Sequence, residues 1–143
     1  MKHSKAYEFV PKTYLLPHEL TLLMKDSENK REGKKYYICK PNASSQGKGI
    51  YVTDNIQTIL NRKLTDVLVS EYISNPLLIN GKKFDLRIYV AMTSVNPLRF
   101  YIYEDGLVRF ATENFTLNKE NMSNNFVHLT NYSVNKHNEK YDG

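Results

Sequence analysis

GKKFDLRIYVAM, from Gly81 to Met92, alternates apolar side chains with charged and polar ones. Because side chains of a β-strand point to opposite faces in turn, this stretch predicts a strand with two unlike faces. We expect the apolar face to pack in the core, whereas the charged face either meets solvent or holds a charged ligand. The apolar face comprises Phe84, Leu86, Ile88, Val90 and Met92, and the other comprises Lys83, Asp85, Arg87, Tyr89 and Ala91.

Two turn-forming dipeptides follow this strand. Asn96-Pro97 and Asp105-Gly106 divide the stretch NPLRFYIYEDGLVRFAT, and Asp-Gly suits a tight hairpin. The pattern therefore predicts three long strands in an antiparallel meander.

Shorter elements are expected before Gly81, and the Asn-rich segment after Asn118 predicts loops with short turns. The two apolar-periodic stretches LPHELTLLMKD and NIQTILNRK predict helices, the second capped at Asp54 or Asn55. The fold class that results is α+β. The remaining apolar stretches predict strands: YYIC (Tyr36 to Cys39), IYVT (Ile50 to Thr53) and DVLVSEYI (Asp66 to Ile73).

Composition sets broad limits on function. A chain of 143 residues suits one domain, and its single cysteine, Cys39, excludes an internal disulfide and is expected in the core. No apolar run approaches the roughly 20 residues that cross a membrane as a helix. The net charge of +5 fits an acidic partner or a phosphorylated ligand without identifying either.

A polar loop, KPNASSQGKG, joins two of the short strands. Its glycines, Gly47 and Gly49, let backbone amides approach an anion closely, and Lys40 at the preceding strand end could meet a phosphate as a point charge. The loop is not a P-loop, because Asn42 occupies the position of that motif's first glycine. A flexible hairpin tip is the alternative interpretation.

A second class of function also fits the composition. Basic charge and strand aromatics are typical of single-stranded nucleic-acid binders, although RFYIYEDGLVRF lacks the glycine pattern of an RNA-recognition strand. We expect Tyr89, Tyr101 and Tyr103 to pack within the sheet rather than to stack on bases.

Four strings taken together resemble the tubulin–tyrosine ligase-like enzymes, a branch of the ATP-grasp ligases. They are CKPNASSQGKGI, SEYISNPLLINGKKFDLRIYVAMTS, DGLVRFATENF and VHLTNYSVNK, and the resemblance runs from about Phe9 to the C-terminus. NYSVNKHNEKY is more similar to the polyglutamylating members than to the tyrosine-adding one. The resemblance implies one partial ATP-grasp-like catalytic domain over residues 1–143, without a second domain, built from a mixed or antiparallel sheet with flanking helices.

The resemblance implies an ATP-dependent acid–amine ligase. ATP would phosphorylate a carboxylate on a tubulin tail, and the amine of free glutamate would attack the acyl phosphate. Tyrosine or glycine addition and a non-catalytic relative are the alternatives within the family. The implied partners are microtubule C-terminal tails and glutamate, not nucleic acid or membrane, and the implied location is the cytoplasmic microtubule cytoskeleton, including the basal body of a cilium or flagellum.

The resemblance also implies roles for individual residues in nucleotide binding. Lys40 would contact the phosphates, and the SSQGKGI loop with Gln46, Gly47 and Gly49 would form a flexible lid. The adenine-recognising linker would comprise Ser70, Glu71, Tyr72 and Ile73, with Lys83 and Asp85 beside adenine and ribose.

Catalytic roles follow from the same resemblance. Arg87 and Arg109 would lie near the γ-phosphate and the acyl-phosphate site. His128, Thr130 and Asn131 would lie next to ribose and substrate, with Asn131 among the catalytic residues.

The implied magnesium ligands are carboxylates and an asparagine on late strands, and no such string occurs before the final NEKYDG. We therefore expect the metal ligands downstream of this chain, which would be a nucleotide-binding portion of a longer ligase and inactive alone. The apolar face beside Ile88, Val90 and Met92 would then lack its cover.

Overall fold

The computed structural model describes residues 7–29, 33–42, 45–62 and 65–141. The chain forms two compact units, one of Met1–Pro76 with Leu117–Asn125 and the other of Leu77–Thr116 with Phe126–Gly143. Ser44, the first residue of the expected lid loop, lies outside the described residues. No helix within the described ranges is long and apolar enough to cross a membrane. The expectation of a single catalytic domain stays a prediction.

The first unit contains a four-stranded sheet with strand order β1-β4-β2-β3, in which every neighbouring pair is antiparallel. β4 is therefore an inner strand, paired with β1 on one side and β2 on the other. The strands and helices are β1 (Thr13–Leu16), α1 (Leu20–Ser27), β2 (Tyr37–Pro41), β3 (Tyr51–Thr53), α2 (Ile56–Leu60) and β4 (Val67–Glu71).

Both predicted helices of this unit are confirmed, and their first turns explain where they begin. The Asn55 side chain accepts a hydrogen bond of 2.9 Å from the Gln57 amide, which places the cap of α2 at Asn55 rather than Asp54. At α1 the Glu19 carboxylate accepts a 2.7 Å hydrogen bond from the Leu15 amide, which joins the helix start to the end of β1.

The core of the first unit lies between this sheet and its helices. Leu16, Leu23, Cys39, Ile59 and Val69 are fully buried in it. The core position expected for Cys39 is confirmed, and burial raises the pKa of its thiol, which disfavours the reactive thiolate.

The second unit is an antiparallel sheet with strand order β5-β6-β7. β6 contains most of the alternating stretch that begins at Gly81, so the strand predicted there is confirmed. Two single-turn helices follow the sheet in the Asn-rich segment. The elements are β5 (Leu78–Ile79), β6 (Lys82–Val95), β7 (Leu98–Asn114), α3 (Asn125–His128) and α4 (Tyr132–Asn135).

The hairpin predicted at Asp105-Gly106 is wrong, because β7 runs through it as one strand. The register passes from Ile88 opposite Gly106 to Val90 opposite Ile102, so β7 bulges at this point. A Cβ on Gly106 would lie 2.6 Å from the Arg87 carbonyl oxygen, which explains the glycine. The chain therefore turns only once between these strands, at Asn96-Pro97, and two strands replace the predicted three.

The two faces predicted for β6 are confirmed by the register, but the core expectation for the apolar face is wrong. Leu86, Ile88, Val90 and Met92 are each more than half exposed. This exposure agrees with the other expectation, that the face lacks cover beside Ile88, Val90 and Met92. The expected packing of the strand tyrosines is also wrong. Tyr89, Tyr101 and Tyr103 are 47%, 62% and 66% exposed.

Candidate nucleotide site

The phosphate-side residues of the first unit lie at one end of β2. Lys40 is exposed on β2, next to the buried Cys39. In the loop that follows, Gln46, Gly47 and Gly49 all have positive φ angles, of 61°, 77° and 72°. A Cβ on Gly49 would lie 2.9 Å from the Pro41 ring. The loop conformation thus depends on glycine at this position, because of both the positive φ and the close approach to Pro41.

The linker after β4 is held by backbone hydrogen bonds on both sides. The Glu71 amide donates to the Lys12 carbonyl and the Tyr72 amide to the Tyr36 carbonyl, each at 2.8 Å. Among the residues that the structure describes, the Ile73 amide has no such partner. The first linker amide that remains available to a base edge is therefore that of Ile73. From the sequence, backbone groups of all three residues from Glu71 to Ile73 were expected to meet the base.

The linker side chains, like the linker amides, are held by the protein up to Tyr72. The Ser70 hydroxyl hydrogen-bonds the Thr13 hydroxyl at 2.9 Å, and the Tyr72 ring is buried. The Ile73 side chain is exposed. Ile73 is therefore the first linker residue with an exposed side chain and with an amide that has no backbone partner among the described residues.

In the second unit, Arg109 binds Asp85 with two nitrogens. Arg109 Nε lies 2.7 Å from Asp85 Oδ1 and Nη2 lies 2.5 Å from Oδ2, across a directly opposed pair on β6 and β7. The hydrogen bonds from Arg109 hold the pKa of Asp85 below its ordinary value despite partial burial, with the Thr130 hydroxyl and the charge of Arg87 acting in the same direction. Asp85 is thus an anion that pairs with a neighbouring cation.

Two further bonds join β6 to the segment from His128 to Asn131. Lys83 Nζ donates to the His128 carbonyl at 3.0 Å, and the Thr130 hydroxyl donates to Asp85 Oδ2 at 2.9 Å. The His128 ring is buried and makes an edge-on contact with Phe115 at 6.0 Å. The structure therefore brings together most of the expected residues of this unit, through contacts with protein groups. Their expected contacts with adenine and ribose stay predictions.

Asn135, which the sequence reasoning missed, holds this segment against β7. Its Oδ1 accepts hydrogen bonds from the Thr112 amide at 2.8 Å and from the Thr112 hydroxyl. Its Nδ2 donates to the carbonyls of Leu129 and Asn131 at 2.8 and 3.0 Å. The only hint in the sequence is that Asn135 follows Asn131 by one helical turn, in a region where asparagine is common.

Arg87 and Asn131 are less constrained by the fold. Arg87 is exposed and lies on the same face of β6 as Asp85. Asn131 precedes α4 without a side-chain capping bond, and its carbonyl accepts from the Asn135 side chain. Both side chains can therefore contact a ligand, and their catalytic roles stay predictions.

A cleft of about 450 Å³ in the second unit contains several cationic side chains. Arg109, Lys82 and Lys140 contribute to its lining together with Thr130. Lys140 and Arg109 are both paired, with Glu113 and Asp85, but the Arg109 guanidinium keeps N–H groups outside its pair that can donate to an anion. Positive charge beside a hydroxyl suits a phosphate or a carboxylate.

The described ranges contain no group of three or more His, Cys, Asp and Glu side chains that could hold a metal ion. The expected magnesium stays a prediction.

Comparison with known proteins places the chain among its relatives. Residues 1–143 match the tubulin-tyrosine ligase family. Mouse tubulin polyglutamylase TTLL5 is 46% identical over 99% of this chain, and mouse tubulin monoglutamylase TTLL4 is 45% identical over 96%. Human tubulin polyglutamylase TTLL6 is 42% identical over 96%.

The chain spans 10%, 11% and 15% of the lengths of these three relatives. The family resemblance of its strings is confirmed by a match over the whole sequence, and the α+β fold with antiparallel sheets agrees with an ATP-grasp-like family. The chain belongs to the tubulin-tyrosine ligase family.

Proposed function

We propose that the full-length protein is an ATP-dependent acid–amine ligase that adds glutamate to tubulin tails on the microtubule cytoskeleton. The observation that carries the proposal is 46% identity to a tubulin polyglutamylase over 99% of the chain. Other relatives at 42–45% identity are also named as tubulin glutamylases.

The proposed reaction has two steps. A carboxylate oxygen of the tail attacks the γ-phosphorus of ATP, so that ADP leaves and an acyl phosphate forms. The glutamate amine then attacks the acyl carbon, loses a proton and forms an amide, while inorganic phosphate leaves with the original carboxylate oxygen. Such chemistry depends mainly on positioning the reactants and on stabilising negative charge.

Arg109 supplies charge stabilisation in this scheme. Asp85 occupies its Nε edge, which fixes the plane of the guanidinium, while the remaining N–H groups can donate to a phosphate or carboxylate oxygen. Arg109 and Thr130 line the same cleft, so an anion there would meet both. Asp85 orients Arg109 in this scheme, and its carboxylate retains acceptor capacity for a ribose hydroxyl.

The first unit supplies nucleotide recognition in this scheme. Lys40 meets the phosphates with its ammonium group, and the loop that contains Gly47 and Gly49 covers them with backbone amides. The Ile73 amide donates to an acceptor on the base edge. Adenine offers an acceptor at N1, where guanine carries a hydrogen, so this donor favours ATP over GTP.

The test is mass spectrometry of tubulin tails after incubation with the full-length protein, ATP and a mixture of glutamate, tyrosine and glycine. We expect glutamate on the tails only when ATP is present. Arg109→Lys keeps the charge but loses the planar fork, so we expect kcat to fall more than the affinity for ATP. Addition of tyrosine or glycine instead, or glutamate addition that does not need ATP, would overturn the proposal.

A further inference from the structure

Four charged side chains from four separate segments meet beside the end of β4. Asp26 of α1 accepts from Lys35 at 2.6 Å and from Lys12 at 3.0 Å. The same two ammonium groups lie 3.4 and 3.7 Å from Glu71 Oε1. The cluster thus contains two cations and two anions, and it is independent of the phosphate-side residues described above.

Lys35 is the central cation of this cluster. Its side chain is 11% exposed, and its ammonium also donates to the Asp26 carbonyl at 3.1 Å. Burial by itself would raise the pKa of Asp26, but the hydrogen bonds and charges of Lys35 and Lys12 outweigh it and lower the pKa. Asp26 is therefore a stable anion that holds both ammonium groups near Glu71.

Glu71 depends on these ammonium groups. Its Oε1 is buried and accepts no hydrogen bond within the described part of the chain, so it is compensated only by the nearby charges of Lys35 and Lys12. A buried carboxylate oxygen without such compensation is costly, and the side chain would move towards solvent. Such a movement would shift the end of β4, which is where the linker begins.

The backbone hydrogen bonds of the linker are made to the same two segments that carry Lys12 and Lys35. The Glu71 amide donates to Lys12 itself, and the Tyr72 amide donates to Tyr36, the neighbour of Lys35. Side-chain charges and main-chain hydrogen bonds therefore fix the same strand ends on both sides of β4. The Ile73 amide, which has no backbone partner in the described ranges, lies directly after them.

We propose that Lys12, Asp26 and Lys35 are positioning residues for nucleotide recognition: they hold Glu71, and through it they orient the Ile73 amide towards an adenine base. The proposal rests on the proposed function for its ligand, ATP. None of the three residues needs to touch the nucleotide.

Lys34 offers a matched control for Lys35. The two are adjacent lysines, and each forms a 2.6 Å ion pair with an aspartate. Lys34 is 57% exposed and pairs with Asp54, whereas the ion pairs of Glu71 are with Lys12 and Lys35. Lys34 also lies over the Tyr36 ring, 5.1 Å from its centroid, so its removal tests loss of an aspartate pair and a ring contact while the ion pairs of Glu71 remain.

The experiment measures ATP binding by calorimetry, and kinetics where ligation occurs, for Lys35→Met, Lys12→Met and Lys34→Met in the full-length protein. We expect Lys35→Met to weaken ATP binding and raise KM for ATP about tenfold, since coupled neighbours typically share energies of this order. kcat at saturating ATP and KM for glutamate should stay within about twofold, and the preference for ATP over GTP should fall. Lys34→Met should leave all of these unchanged, and Lys35→Arg should restore part of the affinity.

Thermal unfolding of each variant separates positioning from folding. Should Lys35→Met fail to fold, Lys12→Met carries the test, because that lysine is 51% exposed and contributes less to packing. A folded variant with unchanged ATP affinity, or one that loses only kcat, would overturn the positioning role. Wild-type protein that binds ATP but does not ligate would overturn the proposed function alone, and wild-type protein that binds no ATP would overturn both.

Discussion

Replacing Asn135 by alanine tests whether one buried side chain holds the segment from His128 to Asn131 against β7. The amide of Asn135 is 1% exposed and serves four hydrogen bonds. In the variant, the Thr112 amide and the Leu129 carbonyl lose their partners. The Asn131 carbonyl still accepts from the Val134 amide, and the Thr112 hydroxyl can rotate to another acceptor.

The expected magnitude follows from the two groups that remain unpaired. Each buried polar group left without a partner costs about 1–3 kcal/mol, so Asn135→Ala should lower the free energy of unfolding by roughly 2–6 kcal/mol. A loss of this size is a large part of the roughly 5–15 kcal/mol by which a typical domain is stable. Asn138→Ala is the matched control. That side chain donates to the partly exposed Glu113 at 3.1 Å and accepts from the exposed Lys140 amide at 2.9 Å, so its loss should cost less than about 1 kcal/mol.

Urea unfolding of both variants, followed by circular dichroism, measures the difference. The midpoint should fall for Asn135→Ala with an unchanged slope, which indicates a change in stability rather than in the denatured state. Equal costs for Asn135→Ala and Asn138→Ala, or a loss below about 1 kcal/mol for the former, would refute the reasoning.

Three further predictions concern the two units. Lys40→Ala should weaken ATP binding about ten- to a hundredfold, the effect of losing a charged contact of roughly 1.5–3 kcal/mol, whereas Lys25→Ala on the surface of α1 should not; equal calorimetric affinities would remove Lys40 from the site. Because the pKa of Asp85 is lowered in the folded state, its contribution to stability is present at neutral pH and is lost as pH falls below about 4. Urea unfolding at a series of pH values should show this loss, and the stability of Asp85→Asn should depend less steeply on pH. Gly106→Ala should destabilise the β6–β7 pairing by about 1–3 kcal/mol, because the new Cβ would lie 2.6 Å from a backbone oxygen, and a cost no larger than that of Glu104→Ala in the same bulge would contradict this account.

Sequence patterns predicted those strands and helices whose formation depends mainly on neighbouring residues. The alternation of Phe84, Leu86 and Ile88 with charged residues was enough to place β6 and to sort its faces, because strand geometry alone fixes the side-chain period. The dipeptide Asp105-Gly106 misled for a physical reason. Glycine served a close backbone approach at a bulge, which has the same residue preference as a tight turn.

Contacts between distant positions had no such local cause. Lys83 and His128 are 45 residues apart in the sequence, as are Asp85 and Thr130, and nothing in either string specifies its partner. The same holds for the cluster around Glu71, whose members come from four segments. The apolar pattern of β6 likewise indicates a face that avoids water but not which part of a protein covers it.

Transfer of a heavy oxygen isotope tests the proposed ligase chemistry most directly. Tubulin-tail peptide with its glutamate carboxylates labelled is incubated with the full-length protein, ATP and glutamate, and the released phosphate is analysed by mass spectrometry. The account predicts one labelled oxygen in phosphate for each amide formed, since the carboxylate oxygen that attacks ATP leaves with phosphate. Amide formation with unlabelled phosphate, or without release of ADP, would contradict it.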